Sequence, residues 1–230
     1  MGKKRRISHE GTFLQAPSLR LSSVQEQDKV VKDCIVSLNK QYRQGLGFTS
    51  APRSAKVTRY SVTSPYQHFG IARETYRIFP ICRTVDASYW AGITIDFQFL
   101  DPSHHLVDAA IIIFQGEFTE SKVPILRAEW HCSDDRMQAI HAQPHWHVYY
   151  PPPQYRGATF SEGSPATFSP DAQAADAVVE AKSMYFHFAM SAEWQRGRLN
   201  AHVGAITSAT DLQHWLCGCL SYIASQLSST

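Results

Sequence analysis

Successive stretches between residues 91 and 150 alternate apolar and polar side chains, and this alternation restricts the chain more than any other feature. In AGITIDFQFL, Ile93, Ile95, Phe97 and Phe99 fall on one side, with Thr94, Asp96 and Gln98 on the other. A period of two is what a half-buried strand requires. DPSHH supplies a turn, and LVDAAIIIFQGEF follows, apolar on both sides through its middle. Such a strand is central and covered on both faces, or is buried by a partner. ESKVP turns the chain again before ILRAEWH and HWHVYY. Strand, turn, strand, turn, strand predicts an antiparallel meander.

Helical spacing marks the two flanks. Residues 23–44 carry Val24, Gln27, Val31, Cys34, Ile35, Leu38 and Tyr42 on one stripe. Ser23 with Glu26 forms a capping box there, and Gly45 and Gly47 supply the stop. Near the other end, SATDLQHWLCGCLSYIASQL carries Leu212, Trp215, Leu216, Cys219, Leu220, Ile223 and Leu227 on its buried stripe. Thr210 and Gln213 form its expected cap. Residues 46–90 read as short strands punctuated by Pro52, Pro65 and Pro80, and AKSMYFHFAMSAEW as a last strand. The fold class is therefore α+β: an antiparallel sheet of five or more strands packed by N- and C-terminal helices. Residues 1–22 are a basic flexible tail, and residues 23–230 form one domain. A long loop rich in Pro, Ser and Gly lies at about 150–176.

Composition narrows the class. With 43% hydrophobic and 12% aromatic residues the chain can bury a core, and only 18% of its residues are charged. A covered sheet or a partner-covered subunit both account for that low charge. The net charge of +2 is too small to argue nucleic-acid binding by itself. Lys3, Lys4, Arg5 and Arg6 read as a solvated tail or as an arm that contacts phosphate. The five cysteines are scattered and odd in number, which suits a reducing cytoplasm better than a disulfide framework. No secretory signal and no membrane span are expected, since no apolar run is long enough.

Chemistry concentrates on one stretch of sheet. Arg127, Glu129 and His131 share one side of their strand, while Leu126, Ala128 and Trp130 share the other. His145 and His147 alternate with Trp146 and Val148 in the same way. If these strands pair, their apolar sides must coincide, because a slip of one residue would bury the charges. That condition brings Arg127, Glu129, His131, His145 and His147 onto one surface. His131, together with His141, Tyr185 and His187, is a candidate substrate-binding residue, and Asp96 and Asp108 extend the polar face. His104 and His105 read as turn residues in solvent.

Three readings of this surface stay open. In metal-free phosphodiester cleavage, a Glu or His takes a proton from a ribose 2′-hydroxyl, a His returns one to the leaving oxygen, and an Arg steadies the phosphate. Arg127, Glu129, His145 and His147 are the catalytic candidates. In the second reading His145 and His147 hold one divalent metal such as zinc or manganese, with Glu129 or His131 as third ligand and water as fourth. In the third, the histidines simply decorate a solvated sheet face.

ILRAEWH followed by HAQPHWHVYY resembles a pattern in small, poorly characterised prokaryotic families of toxin-like and phage-defence proteins. In these, a strand with Arg-x-acid precedes a strand with His-x-His. The resemblance covers residues 125–150, and Glu129 stands where those families often carry Asp. It implies a prokaryotic defence or toxin context. The expected function is a nucleic-acid-directed, RNase-like hydrolase with RNA as partner in preference to DNA. The alternative is a non-catalytic subunit of a multiprotein phage-defence or CRISPR-like complex with protein partners.

Overall fold

The computed structural model describes residues 18–66, 68–71, 74–119, 122–131, 145–148, 188–189 and 206–228. Strands β1 (Leu19–Arg20), β2 (Gly47–Ser54), β3 (Val57–Thr63), β6 (Phe79–Arg83), β7 (Ser88–Asp101), β8 (His104–Gln115), β9 (Val123–Trp130), β10 (His145–Val148) and β11 (Phe188–Ala189) build one antiparallel sheet. Its order is β11-β10-β9-β8-β7-β3-β2, with β1 added to β8 and β6 added to β7. Strands β4 (His68–Ile71) and β5 (Glu74–Arg77) form a separate hairpin. Helices α1 (Val24–Tyr42) and α2 (Ala209–Ser228) complete the α+β architecture. Among the described residues, no helix is long and apolar enough to cross a membrane.

The meander read from the sequence is its centre. The β7–β8 hairpin runs in register from Tyr89↔Gln115 to Asp101↔His104, with one irregularity between Phe99 and Asp101. Both helices cover one face of it. Ile93, Ile95 and Phe97 from β7, Ala109, Ile111 and Ile113 from β8, and Ala128 and Trp130 from β9 meet Val31, Leu38, Trp215 and Leu216 in one core. Each large aliphatic or Phe side chain buried there contributes about 1.5–3 kcal/mol, against about 1 kcal/mol for a helix cap, so packing is what holds the helices in place. Across the interface, Tyr60 donates to Asp28 at 2.8 Å, and Gln213 of α2 donates to Ser37 of α1 at 2.7 Å.

The opposite face carries a smaller core. Tyr76 from β5, Ile78, Trp90, Ile112 and Phe114 pack together there, with Tyr66 against them. Lys122 lies over the Trp90 ring, 4.8 Å from its centroid, and donates to the carbonyls of Glu117 and Phe118. The doubly apolar AAIIIF run is thus covered within the chain itself: Ile111 and Ile113 by the helices, Ile112 and Phe114 by the second core.

Several boundaries differ from expectation. Leu19 and Leu21 are buried, and β1 pairs Leu19 with His105, so these residues of the stretch read as a tail belong to the sheet and its core. Ser23 caps α1 as expected, accepting from the Glu26 amide at 3.2 Å, but Val24 is exposed and Val30 takes a buried place instead. The helix stops at Arg43, in the left-handed region at φ 54°, before either glycine. Asn39 explains the early stop: its side-chain amide bonds both backbone groups of Leu46 and draws the chain away. For α2 the cap is Ser208, two residues before the expected Thr210. Ser208 accepts from the Asp211 amide at 3.1 Å, and the Asp211 carboxylate accepts from the backbone N–H groups of Thr207 and Ser208. Asp211 outcompetes Gln213 because a carboxylate accepts these amides with a full charge at the positive end of the helix.

Gly92 is the position where the second core comes closest to the sheet. A Cβ there would lie 3.0 Å from both Cβ and Cδ1 of Tyr76. Gly92→Ala is expected to destabilise the protein by about 1–3 kcal/mol through overpacking. The check is a lower urea midpoint with an unchanged slope; an unaltered midpoint contradicts this seating of Tyr76.

Candidate functional site

Strand pairing assembles the site row by row. Ser61, Thr94, Ala110, Glu129 and His145 occupy one register line across β3, β7, β8, β9 and β10. The next line on the same face runs Gly92, Ile112, Arg127 and His147. On the other side of the first line, Arg59 pairs with Asp96 and Asp96 with Asp108. The expected register between β9 and β10 therefore holds. Arg127, Glu129, His145 and His147 share a face, while Ala128 and Trp146 turn toward the helical core.

Glu129 is the hub. Its Oε2 lies 2.6 Å from His147 Nε2, 3.0 Å from His131 Nε2 and 3.4 Å from His145 Nε2. Its Oε1 pairs with Arg127 Nε. The two strand histidines also meet each other, Nε2 to Nε2 at 2.8 Å. Glu129, His145 and His147 are buried, whereas the Arg127 side chain keeps 23% of its exposure. His131 reaches in the other direction too, placing Nδ1 3.6 Å from Asp108, an ion-pair distance and too long for a hydrogen bond.

These contacts set the charges. Burial alone would raise the Glu129 carboxyl. Hydrogen bonds from His131, His145 and His147, with the Arg127 charge, outweigh it and hold the group below the usual carboxylate range, so it is ionised. Burial alone would lower His131, but Asp108 and Glu129 together raise it to about 9, so it is an imidazolium at neutral pH. One anion and two cations, Arg127 and His131, thus meet at Glu129, with Asp108 behind them.

Asp96 belongs to a separate arrangement. Arg59 grips it with two bonds, Nε at 2.7 Å and a terminal nitrogen at 2.8 Å, and Arg53 adds one at 2.9 Å. These arginines put positive charge beside Asp96 where it stands opposite Asp108, a place where two bare carboxylates would repel. Arg53 and Arg59 are absent from the residues singled out in the sequence. The usable signal was the alternation of Val57, Arg59 and Ser61 against Thr58, Tyr60 and Val62.

Other candidates stand apart. His104 is in β8 and bonds Asp101 through Nδ1 at 3.0 Å, while His105 is buried beside the Phe99 ring, so neither is a solvated turn residue. Strand β8 starts earlier than read, because β1 pairs with both histidines. His141, Tyr185, His187 and the basic run from Lys3 to Arg6 lie outside the described residues. So do Cys132 and the Pro/Ser-rich stretch of residues 151–176. Strand β11 is described at Phe188–Ala189 and pairs Ala189 with His145, beside the site.

The trio of Glu129, His145 and His147 brings its ligand atoms within 4.8 Å of one another, close enough to hold a metal ion. Without one, the same atoms can pass protons. No known protein family, curated protein or solved structure matches this chain.

The raised His131 imidazole makes stability depend on alkaline pH. Its contribution is whole below its ordinary value of 6.5 and disappears as pH rises through about 9. Urea unfolding with a chelator in the buffer should show wild-type stability falling across that window. His131→Gln should be less stable below it and nearly flat through it. Parallel curves for the two proteins contradict the pairing with Asp108 and Glu129.

Proposed function

We propose that this chain is a nucleic-acid-directed hydrolase that cleaves phosphodiester bonds, in RNA in preference to DNA. The observation that carries the reading is the meeting of a guanidinium, a carboxylate and two imidazoles on adjacent paired strands: Arg127, Glu129, His145 and His147. Glu129, His145 and His147 activate the attacking oxygen, a ribose 2′-hydroxyl or a water. Arg127, the more exposed member, takes the phosphate oxygens and steadies the charge that builds on them. RNA is favoured because its own 2′-hydroxyl supplies a nucleophile already in place. A prokaryotic defence or toxin setting is part of this proposal and rests on the pattern of residues 125–150. A cytoplasmic location rests on the scattered cysteines; Cys34, Cys82, Cys217 and Cys219 are free thiols.

The reading as a non-catalytic subunit loses one of its supports. The doubly apolar β8 needs no partner to cover it, since Trp90, Tyr76 and the two helices do so. The expected outcome is cleavage of labelled RNA by the purified chain, assayed with RNA and DNA in the presence and absence of EDTA. Both His145→Ala and His147→Ala should lower the rate by about 100-fold or more, the usual scale of lost proton transfer. A folded protein that cleaves nothing under any metal condition contradicts the proposal.

A further inference from the structure

We propose that Glu129 Oε2, His145 Nε2 and His147 Nε2 are the three protein ligands of a single zinc ion. The proposal concerns the same face as the hydrolase reading but stands on the trio's geometry and holds without that reading.

Proton counting is the first argument. His147 Nε2 lies 2.8 Å from His145 Nε2 and 2.6 Å from Glu129 Oε2. An imidazole nitrogen carries one proton or one lone pair in the ring plane, never both. Whichever His147 Nε2 carries, that one position serves His145 Nε2 or Glu129 Oε2 and not both, so three donor atoms crowd around one point, with His145 Nε2 and the carboxylate oxygen 3.4 Å apart. One cation at the centre accepts all three donors at once.

Geometry is the second argument. Zinc bonds of about 2.0–2.2 Å give ligand–ligand edges of about 3.3–3.6 Å in a tetrahedron. The three edges here are 2.6, 2.8 and 3.4 Å, so the donors need to part by about an ångström or less. His-x-His on one strand presents both imidazoles from the same side, and the paired strand brings the carboxylate opposite His145. Two nitrogens and one carboxylate oxygen form the open catalytic type of zinc site, whose fourth position takes water or substrate.

The surroundings orient the donors. Arg127 holds Oε1 of Glu129 and His131 reaches Oε2, with Asp108 behind His131, as outer groups commonly fix metal ligands. The Arg127 guanidinium also puts positive charge beside the fourth position, which favours an anionic ligand such as a phosphate oxygen there.

The test uses the full chain, stripped with EDTA, reloaded with zinc and freed of excess by gel filtration. One zinc per chain is expected by elemental analysis, with a raised melting temperature on reloading. Glu129→Gln, His145→Gln and His147→Gln should each weaken zinc binding by at least about 10-fold, while His104→Ala, a histidine elsewhere in the sheet, should bind as wild type. Circular dichroism separates lost binding from lost folding. Should the variants fail to fold, cobalt added to the wild-type chain decides alone. Visible bands of a four-coordinate nitrogen and oxygen site support the proposal, and a six-coordinate aqueous spectrum overturns it. Folded wild type without stoichiometric zinc, or zinc retained in all three variants, overturns it too. Zinc at one per chain with no cleavage of RNA sinks the hydrolase reading and leaves the metal site standing. Cleavage that EDTA does not touch, by a folded protein that takes up no zinc on reloading, does the reverse.

Discussion

Register between neighbouring strands is the constraint on which everything else here depends. In an antiparallel sheet the face a side chain occupies is settled by parity alone, and one slipped residue exchanges the two faces. Trp130 and Ala128 commit β9 to the helical core, and Trp146 packs against that core from β10. With those apolar side chains placed, Arg127, Glu129, His145 and His147 have only the opposite surface available. Burying apolar area against the helices therefore concentrates charge on the other side. The site is a by-product of where the tryptophans must go.

Concentrated charge of this kind is stable only if its signs alternate. Along the polar face the order runs Arg59, Asp96, Asp108, His131, Glu129, Arg127, so each carboxylate has a cation on at least one side. The pair Asp96 and Asp108, directly opposed in register, is the weak place in that order. Arg59 and Arg53 answer it from one side and His131 from the other. Asp108 helps to hold His131 charged, which ties a residue next to the trio to an arginine cluster three and four strands away.

Much of this was legible in the residues, and the failures have identifiable causes. The alternation in AGITIDFQFL and ILRAEWH was strong enough to set both faces, since tryptophan and isoleucine leave little choice of side. Helix stripes were legible for the same reason. Helix ends were not: Asn39 and Asp211 decide them through bonds to Leu46, Thr207 and Ser208, and nothing in a periodicity distinguishes those partners. The covering of AAIIIF was equally hidden. Its second face is closed by Tyr76 and Trp90, from β5 and from the start of β7, and only the fold reveals that pairing. Burial of His145 and His147 escaped the reading too, because a histidine on a sheet face looks the same in sequence whether wet or dry.

The line Gly92, Ile112, Arg127, His147 crosses four strands without a break. Tyr76 rests on its first member, and His147, one of the trio's two histidines, is its last. Pairing therefore joins the small hairpin that presents Tyr76 to the His147 end of the candidate site through a single row of hydrogen-bonded strands.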